Sequence, residues 1–169
     1  FRLARRFETV IMPCFSFHEL GTFEAQQGCV HAISRHLTMG GLLAIALGVW
    51  SPPTNSTPPP EPQDLGKPKE EGYNPHTRLF TRMWTLGWGD PATQTHYRRF
   101  YFEESDDKGQ LVRRFVKPEP PNWSKVRYLG RYEMELILEK YGFAVETVYG
   151  DWDLSPFDPT SRCMLFLAR

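Results

Sequence analysis

Val10-Ile11-Met12-Pro13-Cys14-Phe15-Ser16-Phe17-His18-Glu19-Leu20 is the stretch whose reading decides the fold. An apolar run stops at a proline, a polar and aromatic turn follows, and a helix signal comes next. An apolar run of this kind, ended by Pro13 and leading into a helix, reads as a buried parallel strand rather than a half-exposed one. In open α/β sheets, ligands sit just beyond the carboxyl ends of such strands. Cys14 to Leu20 is therefore expected to form one wall of a ligand site.

Phe7 to Met12 is read as the first strand and Thr22 to Leu37 as the first helix. The Thr22 hydroxyl can accept from a free N–H of the first turn, and Glu24 suits the positive end of the helix dipole. Cys29, Val30, Ile33 and Leu37 keep helical spacing and should face the sheet. Arg35 and His36 place positive charge in the last turn, and Gly40-Gly41 is expected to end the helix. Leu42 to Leu47 is a second apolar run, so strand, helix and strand form a right-handed βαβ unit.

Ser51 to Pro75 breaks the pattern with eight prolines, Pro52 to Pro75, among Ser, Thr, Asn, Glu and Lys. Proline removes backbone donors and blocks helix, so this reads as a long loop, solvated or acting as a flap. Leu79 to Trp88 is aromatic and suits a strand. Thr95 to Glu103 alternates, Leu111 to Val116 is apolar enough for a further strand, and Asp106-Asp107-Lys108-Gly109 between them forms a turn. An antiparallel hairpin inserted after the second core strand is expected, with a proline-rich exit from Lys117 to Asn122. Tyr132 to Tyr141 is the second helix, with Met134, Ile137, Leu138 and Tyr141 on one face and Gly142 ending it. Phe143 to Tyr149 and Cys163 to Ala168 are strands joined by a non-helical loop, hence antiparallel.

The chain has 169 residues, 40% hydrophobic and 24% charged, with zero formal net charge. This is the composition of a globular domain with a real core. Zero net charge speaks against a broad electrostatic grip on nucleic acid or an anionic membrane. The longest apolar runs fall far short of the roughly 20 residues a membrane span needs. No leader pattern opens the chain. Cys14, Cys29 and Cys163 lie apart without metal-ligand spacing, which reads as reduced cysteines and a cytoplasmic location, with no metal. Phe1 to Arg6 looks like the middle of something, so a domain missing its front is expected.

Several pieces together resemble class I S-adenosylmethionine-dependent methyltransferases. Phe7 to Pro13 looks like that family's fourth strand, and Ser16 to Leu20 resembles the loop after it in a small-molecule-type branch. Arg35 to Ile45, with its Gly40-Gly41 turn, resembles the approach to the fifth strand. Glu133 to Phe143 followed by Val145 to Asp151 resembles the helix ending in Gly-Phe and the sixth strand, and Arg162 to Arg169 is similar to the seventh. The resemblance implies an α/β, Rossmann-like sheet of order 3-2-1-4-5-7-6, of which this chain supplies strands 4, 5, 7 and 6, the seventh antiparallel. Residues 1–169 are then one truncated methyltransferase domain with a Pro-rich loop, 51–75, and a β insertion, 79–122. The family's glycine-rich cofactor loop and its ribose-binding acid find no counterpart in the sequence. Without the family's first strand, Val10 to Met12 becomes a flat, apolar, unpaired edge.

The resemblance implies S-adenosyl-L-methionine as cofactor and methyl transfer to a small-molecule acceptor as the reaction of the parent polypeptide. Cys14, Phe15, Ser16 and Phe17 are the expected cofactor contacts. His18 is the candidate acid–base group, because histidine titrates near neutral pH. Trp84, Tyr97, Arg99 and Arg127 are the expected acceptor contacts, since an insertion after the fifth strand often covers the acceptor in related enzymes. The expected partner is the missing amino-terminal half of the fold, or a second strand edge. The alternatives are a catalytically inactive methyltransferase-like interaction module and an RNA-modifying methyltransferase. The mixed bases and aromatics of His96 to Phe102 suit RNA, but alternation and zero net charge favour an ordinary packed strand.

Overall fold

A computed structural model describes residues 1–49, 56–60 and 65–169. The chain divides into two compact units, Phe1–Ser51 with Thr93–Thr95 and Val126–Arg169, and Pro52–Ala92 with His96–Lys125.

The first unit is built on the two apolar runs and the last two strands. Strand β1 (Phe7–Met12) is followed by a 3-10 turn (Ser16–Leu20) and helix α1 (Phe23–His36). The Thr22 hydroxyl accepts from the Ala25 N–H at 3.1 Å, the cap expected from the sequence. Strand β2 (Leu37–Gly48) runs parallel to β1, pairing Val10 with Leu43 and Met12 with Ile45.

Among the described strands of the second unit, β3 (Glu70–Asn74), β4 (Leu79–Asp90), β5 (Thr95–Ser105) and β6 (Leu111–Lys117) lie in that order, and β7 (Ser124–Arg127) pairs with β5. Their pairings β3–β4 and β5–β6 are antiparallel.

Helix α2 (Arg131–Lys140), β8 (Val145–Tyr149) and β9 (Cys163–Ala168) complete the first unit. Its sheet has the order β1-β2-β9-β8, and β9 is antiparallel to both neighbours. This is the order expected for strands 4, 5, 7 and 6 of a methyltransferase sheet.

Alternation along β2 sends Leu43, Ile45 and Leu47 into one core with Val30 and Ile33 of α1, Met134, Ile137 and Leu138 of α2, and Phe166 of β9. Ala44 and Ala46 point the other way, beside Cys163 and Leu165.

Several expectations are corrected. Helix α1 stops at His36, before Gly40-Gly41, because Leu37 is already extended. The register jumps between Phe7↔Leu37 and Thr9↔Leu42, so the glycines lie in a bulge and not in a helix cap. Gly41 is tightly enclosed: a Cβ there would stand 3.0 Å from the Thr38 carbonyl and 3.1 Å from that of Glu8, so the neighbouring backbone would have to give way.

Strand β1 is half-exposed, not buried. Val10 and Met12 pack on the core, while Ile11 is 58% exposed. It is the edge of the described sheet. His36 does not stand in solvent at the helix end. It is buried, its Nδ1 lies 2.6 Å from the Ala32 carbonyl, and its Nε2 accepts from the Leu3 N–H at 2.8 Å.

The proline-rich stretch is not loop throughout, since Glu70–Asn74 forms β3, and the insertion holds more than a hairpin. Residues 51–55 and 61–64 of that stretch lie outside the described residues. Strand β7 had no counterpart in the sequence reading.

Candidate functional site

The candidate site is the turn that leaves β1. Pro13 ends the strand because it offers no ladder donor. Cys14 (φ 57°) and Phe15 (φ 56°) then take two successive left-handed conformations. Neither residue is glycine or asparagine, and each such residue costs on the order of 1 kcal/mol or more. The turn is held by its own bonds: the Ser16 N–H and hydroxyl both donate to the Pro13 carbonyl, at 3.2 and 2.9 Å, and the His18 N–H donates to Phe15 O at 3.0 Å. Strain of this kind persists only where the surroundings over-determine it, and it gathers at ligand sites.

The turn presents Cys14, Phe15 and Ser16 at the surface and sends Phe17 and His18 inside. The Phe15 ring stands beside Gly48, the last residue of β2, where an added Cβ would lie 3.8 Å from the ring. The surface group therefore sits at the carboxyl ends of both parallel strands, the place where open α/β sheets bind ligands. Phe17 is fully buried in the core, so it supports the turn from behind.

His18 joins three segments. Its Nε2 accepts from the Gly48 N–H at 3.0 Å, which fixes the proton on Nδ1, and Nδ1–H donates to the Arg127 carbonyl at 2.8 Å. Its ring also packs on Tyr128, with centroids 4.7 Å apart. Both imidazole nitrogens are thus spent on backbone groups, so His18 positions the turn against β2.

Arg127 is held in a buried polar cage rather than presented to a ligand. Its guanidinium donates to Gln26 Oε1 at 2.8 Å, Gln94 Oε1 at 2.8 Å and Glu133 Oε1 at 2.7 Å, and lies over the Phe23 ring at 5.0 Å. Gln26 Nε2 donates back to the Arg127 carbonyl at 3.1 Å and to Phe17 O at 3.4 Å, tying the cage to the turn. Gln94 closes the ring with a bond from Nε2 to Glu133 Oε2 at 3.1 Å. Every donor and acceptor of a cage like this needs a partner, because an unpaired buried charge is costly.

Gln26, Gln94, Glu133 and Gly48 were not singled out from the sequence. Gln26 alone left a signal there: it falls four residues before Val30 and seven before Ile33, a polar residue in the apolar stripe of α1.

The other expected acceptor contacts belong to the second unit. Trp84 is buried and its indole N–H donates to the Gly66 carbonyl at 2.9 Å. Arg99 is buried, donates to Asn122 O from Nε at 3.2 Å and from Nη2 at 3.1 Å, and stacks on Trp123 at 4.2 Å. Tyr97 stacks flat on Trp88, with centroids 4.1 Å apart, and faces the Lys125 ammonium at 5.7 Å. These are packing roles within that sheet. Among the described residues, no three His, Cys, Asp or Glu side chains gather as a metal site would require, and no helix is long and apolar enough to cross a membrane.

No family model matches the chain, and no curated protein sequence does either. Solved structures do match. An S-adenosylmethionine-dependent methyltransferase from Clostridium acetobutylicum ATCC 824 superposes over 100% of this chain and 60% of its own, with TM-score 0.71 and 13% identity. CalS10, an amino pentose methyltransferase from Micromonospora echinaspora described with S-adenosylmethionine bound, covers 99% of this chain and 60% of its own, at TM-score 0.64 and 19% identity. The sugar N-methyltransferase KedS8 from Streptoalloteichus sp ATCC 53650 covers 98% and 57%, at TM-score 0.63 and 16% identity. The chain spans about 60% of the length of the structures it matches. At these identities the likeness establishes the fold: the chain has the class I methyltransferase fold over the part it contains.

Proposed function

We propose that the polypeptide carrying this chain transfers a methyl group from S-adenosyl-L-methionine to a small-molecule acceptor. On this reading residues 1–169 supply one side of the site. The observation that carries it is the strained Cys14-Phe15 turn, exposed at the carboxyl ends of parallel β1 and β2, on the strand that edges a methyltransferase-type sheet.

Methyl transfer is an in-line displacement at the sulfonium methyl carbon. The acceptor lone pair forms the new bond as the carbon–sulfur bond breaks, leaving S-adenosyl-L-homocysteine, and the acceptor proton passes to solvent. The protein's main task is alignment, and well-oriented reactants can gain many orders of magnitude in effective concentration. Cys14, Phe15 and Ser16 contact the cofactor's reactive end. His18 holds that turn against Gly48 and takes no proton, since its nitrogens are occupied. An acceptor amine fits a site without a presented base, because its neutral form attacks unaided. The neighbours described as acting on an amino pentose and as a sugar N-methyltransferase support this choice. The adenosine side of the cofactor is gripped by a further part of the fold, paired along the open edge of β1.

The test is a thiol footprint on the polypeptide carrying this chain. Cys14 is exposed, whereas Cys29 and Cys163 have thiols that burial pushes up and so makes less reactive. S-adenosyl-L-homocysteine should slow alkylation of Cys14 several-fold and leave the other two unchanged. Unaltered Cys14 alkylation at saturating ligand would remove the turn from the cofactor site.

A further inference from the structure

Behind the Cys14 turn lies a fully buried glutamine, Gln26 of α1. A glutamine amide carries an acceptor oxygen and a donor nitrogen, and burying either without a partner is costly. Both ends of this amide face groups that act in one sense only. The Arg127 guanidinium can only donate, so the atom 2.8 Å from its Nη1 is Oε1. The Arg127 and Phe17 carbonyls can only accept, so the atom 3.1 and 3.4 Å from them is the amide nitrogen. The amide therefore has one orientation. Glutamate has the same shape, but when ionised it offers no donor.

Through these bonds one side chain reaches both supports of the turn. It holds the Phe17 carbonyl directly. The Arg127 carbonyl that it also holds receives His18 Nδ1–H at 2.8 Å, and the Nε2 lone pair of that ring takes the Gly48 N–H at 3.0 Å. From the other side Arg127 is braced by Gln94 and Glu133. Gln94 stands in the turn between β4 and β5 with φ 54°, and its carbonyl accepts the Tyr128 N–H at 3.0 Å. Being fully buried, Gln26 touches no ligand and acts through the groups it holds.

On the methyl-transfer reading of the turn, on which this rests, we propose that Gln26 is a positioning residue for the cofactor. The orientation of its amide sets the place of Cys14, Phe15 and Ser16, and with it the affinity for S-adenosyl-L-methionine. A side chain that only filled volume would be replaced by glutamate without effect on that affinity.

The experiment is calorimetric titration with S-adenosyl-L-homocysteine of the polypeptide carrying this chain and of three variants, together with the alkylation rate of Cys14 in each without ligand. Gln26→Glu keeps the acceptor for Arg127 but turns a carboxylate oxygen toward two carbonyl oxygens. It should weaken S-adenosyl-L-homocysteine about tenfold and change the Cys14 rate about threefold or more. Gln94→Asn suits the left-handed turn but draws the amide back from Arg127, and should weaken the ligand about threefold. Leu165→Ala hollows the opposite face of the sheet, so it should lower the urea midpoint and leave affinity and Cys14 rate at the parent values. Parent-like affinity or an unchanged Cys14 rate in Gln26→Glu overturns the proposal, as does parent-like affinity in Gln94→Asn should Gln26→Glu not fold. Equal weakening by Leu165→Ala also overturns it, because any loss of stability would then suffice. A parent polypeptide that binds no S-adenosyl-L-homocysteine overturns the methyl-transfer reading itself and the role of Gln26 with it; binding by the parent and by Gln26→Glu alike overturns the role of Gln26 alone.

Discussion

Replacing His18 with leucine tests whether this side chain holds the candidate site together. Leucine keeps most of the apolar bulk but offers neither a donor nor an acceptor. The Gly48 N–H, which donates to His18 Nε2, is then left without that partner at the end of β2. The Arg127 carbonyl loses the Nδ1–H bond but keeps the Gln26 amide at 3.1 Å, so it is only partly deprived. An orphaned donor at a part-buried position such as Gly48 costs about 1 kcal/mol, and loss of one of two bonds at a carbonyl about 1 kcal/mol. His18→Leu should therefore destabilise the fold by about 2 kcal/mol. Urea unfolding followed by far-UV circular dichroism of the polypeptide carrying this chain measures it, with the slope unchanged and the midpoint lowered. Methyl transfer should fall as well, while the pH profile of the residual activity keeps its shape. A destabilisation below about 0.5 kcal/mol would refute the structural role, as that is the range of an ordinary surface substitution. A lost acidic limb in the pH profile would show that His18 carries a proton in the reaction.

Arg127→Met should cost about 3 kcal/mol or more in the same unfolding assay, because it leaves Glu133, Gln26 and Gln94 facing an apolar side chain. His96 has its imidazole pushed below the usual 6.5, first by burial and then by the Arg98 charge. The unfolded chain then binds more protons than the folded one just below pH 6.5, so stability should fall as pH drops through that value toward the lower folded one. His96→Gln should flatten that part of the stability profile. Ile11 stands 58% exposed on the edge strand, so Ile11→Lys should reduce self-association of residues 1–169 in sedimentation or light scattering.

Much of the first unit was legible because its signals are local. Apolar runs of strand length, a threonine cap and helical spacing locate β1, α1 and β2, and the resemblance orders β9 and β8. The end of α1 was misread because Gly40-Gly41 suits a helix cap and a β-bulge equally well, and only the pairing with Glu8 and Thr9 decides. Strand β3 is hidden by its prolines on both sides and by having every residue exposed, so no alternation marks it.

The candidate site was half legible. The strand exit could be placed from Pro13 and the run before it. Its left-handed Cys14 and Phe15 could not, since neither is a residue that favours that conformation. The roles of His18 and Arg127 were also out of reach. Their partners Gly48, Gln26 and Gln94 come from distant segments, so only the folded chain shows that both side chains are engaged.

The central claim is that residues 1–169 hold one side of a methyltransferase site and end their sheet at an open β1 edge. Calorimetric titration of residues 1–169 alone with S-adenosyl-L-methionine tests it most directly. The account predicts no measurable heat, or a dissociation constant weaker than about 1 mM. Binding at a few micromolar by these residues alone would contradict it.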